Sequence, residues 1–262
     1  MNAALICLRA ALALYALGFG TALYALIAEK TRPLAFTPWV AGLGWLCHTA
    51  ALLFLGWSLK RCPLATLPEV LSALAWASVL VYLVVSLRTT ITVLHIIVLP
   101  LSMIVLVLSK VLPGTMLPVA EPLRASVLRF HLTAIILGVA ALTVTFAASV
   151  AYVVADRALK SKRPGRYFQM LPSLEGCDRL GRRSLLLAFP LLTLGIVTGA
   201  IANENLTGTA WTWQPRETLA VLSWVLLGIV VVARVGWGWR GRKAALLTIL
   251  GFSLVFLRML GV

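Results

Sequence analysis

Apolar runs of about twenty residues follow one another along nearly all of this 262-residue chain, separated by short polar breaks. A bilayer core roughly 30 Å thick needs about that many residues per helix. Lipid offers the backbone no hydrogen-bond partners, so such runs must close their own N–H and C=O groups as helices. A barrel would show strands of about ten residues alternating apolar and polar, unlike the continuous run from Ala244 to Leu257. With 61% hydrophobic and 12% charged residues, against about 45–50% and about 25% in soluble domains, a water-soluble single domain is excluded. The expected architecture is all-α: one integral membrane domain over 1–262, a bundle of about eight transmembrane helices near 3–28, 35–58, 68–87, 90–109, 127–155, 184–203, 217–236 and 244–262.

The net charge of +15 would suggest nucleic acid in a soluble protein, but here the basic residues sit mainly between apolar runs, and no nucleic-acid partner is expected. Of the 23 Lys and Arg, 15 fall after helices one, three, five and seven, eight of them in 157–183. By the positive-inside rule those loops are cytoplasmic and both termini face outward. Within the basic loop 157–183, Leu174, Cys177 and Leu180 follow Pro172-Ser173 at helical spacing, which predicts a short amphipathic helix on the membrane surface. The N-terminal run lacks a basic leader and a cleavage site, and reads as a retained first helix. Four cysteines in separate segments form neither C-x-x-C nor C-x-x-C-H and are expected as free thiols.

The stretch Asn203 to Thr218, with an outer loop expected over 203–217, is the most unusual in the chain. Trp211 and Trp213 lie one residue apart, between Gly208 and Pro215, which favour a bend. Two readings stay open. Tryptophan is enriched at membrane interfaces and the pair is then an aromatic belt; alternatively the indoles face a flat apolar ligand, with Arg216 available to a carboxylate.

These residues resemble the tryptophan-rich signature of the cytochrome c assembly superfamily, which looks like W-A-N-E-x-W-G-x-x-W-x-W-D-P-K-E-T before an apolar helix. Ala202-Asn203-Glu204, Gly208, Trp211, Trp213, Pro215, Glu217, Thr218 and Trp224 match it, with Arg216 in place of lysine. Leu171-Pro172-Ser173-Leu174-Glu175, the run from Leu192 to Gly199, and Gly238 to Lys243 are similar to family stretches in the same order. Upstream, His48-Thr49, Glu69 and Trp76 resemble the smaller eight-helix HemX-like and YpjD-like branch.

The resemblance implies a haem-handling protein of the bacterial cytoplasmic membrane, in which the outer tryptophan loop supports haem and histidines ligate its iron. His131, at the outer start of helix five, matches the histidine preceding the tryptophan loop; it is a candidate ligand or an interfacial polar residue. His48, inside helix two, is a second candidate iron ligand or a helix-packing histidine. His95 reads as structural. The signature aspartate is Gln214 here, its first tryptophan is missing near Leu206, Val232 stands where larger members place a histidine, and the chain reaches Val262 without their further outer histidine.

No catalytic triad, phosphate loop or paired carboxylates supports a hydrolase or NTPase. Three functions remain. The first is a haem-binding, CcsA-like subunit of a cytochrome c haem-attachment system, with a CcsB/ResB-like membrane subunit and apocytochrome c as partners. The second is a HemX-like regulator whose basic loop docks a soluble tetrapyrrole-synthesis enzyme. The third is a cofactor-free transporter or accessory subunit.

Overall fold

The structure, a computed structural model, describes residues 2–28, 30, 32–89, 93–114, 122–160 and 172–259. These form eight helices: α1 (Asn2–Ile27), α2 (Arg32–Leu59), α3 (Leu67–Ser86), α4 (Val93–Val111), α5 (Pro122–Lys160), α6 (Leu174–Thr207), α7 (Pro215–Gly236) and α8 (Arg242–Met259). No strand occurs among the described residues, so the all-helical expectation holds. Seven helices are long and apolar enough to cross a bilayer; α8 has the length but carries Arg242, Lys243 and Arg258. Residues 161–171, the middle of the basic loop, lie outside the described residues.

The chain divides into two compact units. The first comprises Met1–Leu117 with Arg157–Pro172, the second Pro118–Asp156 with Ser173–Val262.

In the first unit α1 buries Ala11, Tyr15, Gly18, Ala22 and Ala25, a single stripe of mostly small residues at alternating steps of four and three. Small side chains let α2 pack closely, and a Cβ on Gly44 of α2 would stand 2.8 Å from the Tyr15 ring. The opposite face of α2 exposes Phe36, Trp39, Leu43, Leu46, Leu53 and Trp57. Trp39 and Trp57 are separated by about 27 Å of helix rise, close to the bilayer core, so α2 presents lipid with an aromatic residue near each interface. Thr66 caps α3, accepting from Glu69 N. The Glu69 carboxylate takes both guanidinium nitrogens of Arg61 at 2.8 Å, closing the α2–α3 turn.

In the second unit α5 is apolar nearly all round, and Ala140, Leu142, Val144, Ala147 and Ala148 are fully buried. At one end His131 of α5 meets Gly195 of α6. At the other, Asp178 of α6 pairs with Arg234 of α7 at 3.2 Å and accepts from Gly241 N before α8. That pair is nearly enclosed, with side-chain exposures of 3% for Arg234 and 15% for Asp178.

The surface helix expected at 174–180 is instead the beginning of α6. Ser173 caps it by accepting from Gly176 N at 3.1 Å, and no proline interrupts the chain until Pro190. Cys177, one of the three apolar positions, is 1% exposed and so packs inward. The charged turn belongs to a 34-residue helix whose Asp178 is held by Arg234.

Candidate functional site

The tryptophan stretch is more helical than expected. Helix α6 runs to Thr207 and α7 starts at Pro215, leaving only 208–214 as loop. Gly208 ends α6 in the left-handed conformation, φ 77°, which costs glycine nothing. Thr207 and Asn203 both donate to the Thr209 carbonyl, at 3.1 Å each. At the far side Glu217, three residues past the cap, turns back: Thr212 N and Thr212 Oγ1 both donate to its carboxylate at 2.8 Å. Trp213 between these anchors takes φ 56°, a left-handed conformation that costs a side-chain-bearing residue about 1–2 kcal/mol. Such strain persists only where its surroundings impose it.

The two indoles lie edge to face, centroids 6.0 Å apart and planes at 74°. They do not form one flat surface. Trp213 is 73% exposed, whereas Trp211 is half-buried and its Nε1–H is enclosed without an acceptor. Gln214 occupies the N-cap of α7 but makes no capping hydrogen bond, because its chain is one methylene longer than the aspartate this position favours.

Trp211 borders a cavity of about 180 Å³, shared with His131, Gly199, Asn203, Glu217 and Arg258 among others. His131 Nδ1 lies 2.7 Å from the Gly195 carbonyl. A carbonyl only accepts, so Nδ1 carries the proton and the neutral ring holds its lone pair on Nε2. Among the described residues no partner engages Nε2. This is the arrangement of a histidine prepared to ligate a metal, oriented through its other nitrogen. Gly199 makes room for the ring: a Cβ there would fall 2.8 Å from His131 Cε1.

The other histidines differ. His48 belongs to the first unit and is fully buried, with Nδ1 3.3 Å from Tyr15 Oη and Nε2 3.1 Å from Ser72 Oγ. Both of its nitrogens are engaged. His95, also in the first unit, is 2.6 Å from Tyr82 Oη through Nδ1, in an edge-to-face contact; its Nε2 has no partner among the described residues, but it does not line the His131 cavity. Arg216 is exposed and absent from the cavity wall. In its place stands Arg258, in the last turn of α8. Its sequence signal is a lone cation ending the apolar run 244–257. Among the described residues no group of three His, Cys, Asp or Glu could cage a metal ion, and His131 is the one imidazole in the lining of this cavity.

The sequence profile described as Cytochrome C assembly protein matches residues 64–262, which include every element of this cavity. The chain belongs to the cytochrome c assembly protein family. Among its curated relatives, the cytochrome c biogenesis protein CcsA of Synechococcus sp. (strain CC9902) is 30% identical over 242 residues, 83% of this chain and 80% of that one. That of Guillardia theta is 29% identical over 219 residues, 76% of this chain and 73% of the relative. Among solved structures, cytochrome c heme lyase CcmF superposes on 99% of this chain with a TM-score of 0.76 at 19% identity. This chain spans 47% of that protein, and the likeness establishes a shared fold. The family profile thus accounts for the tryptophan loop, and for α5 to α8 around it.

Proposed function

We propose that this protein is a haem-handling membrane subunit of cytochrome c maturation, with His131 as an iron ligand and the Trp211–Trp213 loop as the wall against which haem rests. The observation that carries the reading is the bond from His131 Nδ1 to the Gly195 carbonyl, which leaves Nε2 unprotonated on a ring that lines the same cavity as Trp211. Bound haem would supply an iron porphyrin for covalent attachment to an apocytochrome c. The chain's own residues do the holding: Gly195 fixes the imidazole, Gly199 admits it, and Glu217 braces the loop through Thr212. His48 is the less suited of the two candidate ligands, since it would have to release Tyr15 or Ser72 first. The curated relatives named cytochrome c biogenesis protein support the pathway. A CcsB/ResB-like subunit fits as the membrane partner in a bacterial cytoplasmic membrane.

The charge bias of the loops supports placing 208–214 on the outer face. Exposed Cys62 should then react with a membrane-impermeant maleimide on intact cells, while Arg240→Cys stays silent until permeabilisation; the reverse pattern inverts the orientation. The ligand is tested in detergent by absorbance. His131→Gly should lose the Soret band of the haem-loaded protein, and imidazole should partly restore it. A native spectrum in His131→Gly removes His131 from the site.

A further inference from the structure

The His131 cavity has one wall that iron ligation leaves unexplained. Arg258 reaches it from the last turn of α8, a helix that carries no charge from Ala244 to Leu257. A cation at a helix C-terminus is favourable for the helix dipole, but a surface arginine would serve that purpose equally. This one lines a cavity, where a guanidinium is expensive unless it meets an anion. Among the described residues it forms no ion pair or hydrogen bond. The one acid on the cavity, Glu217, accepts from Thr212 through both oxygens; it attracts Arg258 across the cavity but makes no ion pair with it. A second donor on the same cavity is also unmet, since Trp211 Nε1–H is enclosed without an acceptor. The remaining lining is largely apolar, including Ile135, Ile196 and Ala220.

A largely apolar lining, a guanidinium without a direct ion pair and an indole N–H without an acceptor together fit a mostly hydrophobic ligand that carries a carboxylate, which a guanidinium fork receives in two parallel hydrogen bonds. We infer that Arg258, and not the exposed Arg216, receives a carboxylate of a tetrapyrrole that rests against the tryptophan loop, with that one side chain entering the cavity of about 180 Å³. The inference rests on the haem-handling reading for the ring system, but the carboxylate contact is independent of iron.

The test uses the full chain in detergent, titrated with metal-free protoporphyrin IX and with haem, each as the free acid and as the dimethyl ester. Wild type should bind the acids about ten- to a hundredfold more tightly than the esters, the range of a charge-assisted pair. Arg258→Gln should erase that preference, and Arg216→Gln should keep it. Arg258→Lys, which retains the cation without the planar fork, should reduce it severalfold; this variant decides the matter if Arg258→Gln does not fold. Equal binding of acid and ester by wild type overturns the inference, as does a full preference in Arg258→Gln or an unchanged one in Arg258→Lys. If the acid preference depends on Arg258 while the haem spectrum ignores His131, the iron-ligand reading fails and this one stands. Binding of neither acid nor ester by wild type overturns both.

Discussion

The first unit buries two histidines, His48 and His95, whereas the second holds a half-buried one, His131, and His48 and His131 are used differently. In the first unit His48 is closed on both sides, joining Tyr15 of α1 to Ser72 of α3, so the ring acts as a strut between three helices. In the second, His131 spends one nitrogen on a backbone carbonyl and leaves the other beside a cavity. The charge pairs differ as well. Arg61–Glu69 in the first unit closes a turn with the guanidinium 31% exposed, whereas Arg234–Asp178 in the second is nearly sealed. The lesson is that residue type and depth alone do not mark a polar residue in a membrane bundle as a site: His131 and His95 each keep one nitrogen unengaged among the described residues, and what distinguishes His131 is the cavity it lines with Trp211.

The largest effect expected from this contrast is at the foot of the second unit. Asp178→Asn leaves Arg234 charged and enclosed without its counter-ion, and should cost about 3–5 kcal/mol. Arg61→Ala, at the more exposed pair, should cost about 1 kcal/mol or less. Thermal unfolding in detergent measures both, and similar losses would mean that the burial difference has no energetic weight.

Next comes the histidine contrast. His48→Ala strands the Tyr15 and Ser72 hydroxyls and should destabilise the protein by about 1–3 kcal/mol for each group left unsatisfied, with the haem spectrum retained. Gly199→Ala should do the opposite, displacing the His131 ring and weakening haem binding while the melting temperature changes little. A spectrum lost in His48→Ala and kept in Gly199→Ala would move the cofactor to the first unit.

The smallest expected effect is a gain. Gln214→Asp supplies the short carboxylate that the α7 N-cap lacks, and should raise stability by about 1 kcal/mol. A null result in the melting temperature would show that the cap is already satisfied by solvent.

Much of this protein is legible without coordinates. Apolar runs of membrane length determine helices, because lipid leaves the backbone no alternative, and the order of Asn203, Glu204, Trp211, Trp213, Pro215 and Glu217 marks the family. Local sequence also contains the capping signals that close those helices, although at Ser173 the turn it begins is part of α6 and not a separate surface element. The site is a different matter. His48 and His131 are equivalent in a sequence, each one imidazole in an apolar helix; what separates them is which atoms lie within 3.5 Å of their nitrogens. Arg216 adjoins the tryptophans in sequence and Arg258 is more than forty residues away, yet the cavity contains Arg258. The 100° step from residue to residue in α7 turns its first charged side chain outward, and packing of α8 against α7 brings the last cation of the chain inward. Sequence determined which groups are present; hydrogen-bond geometry, set only when distant helices pack, decided which of them are free to bind.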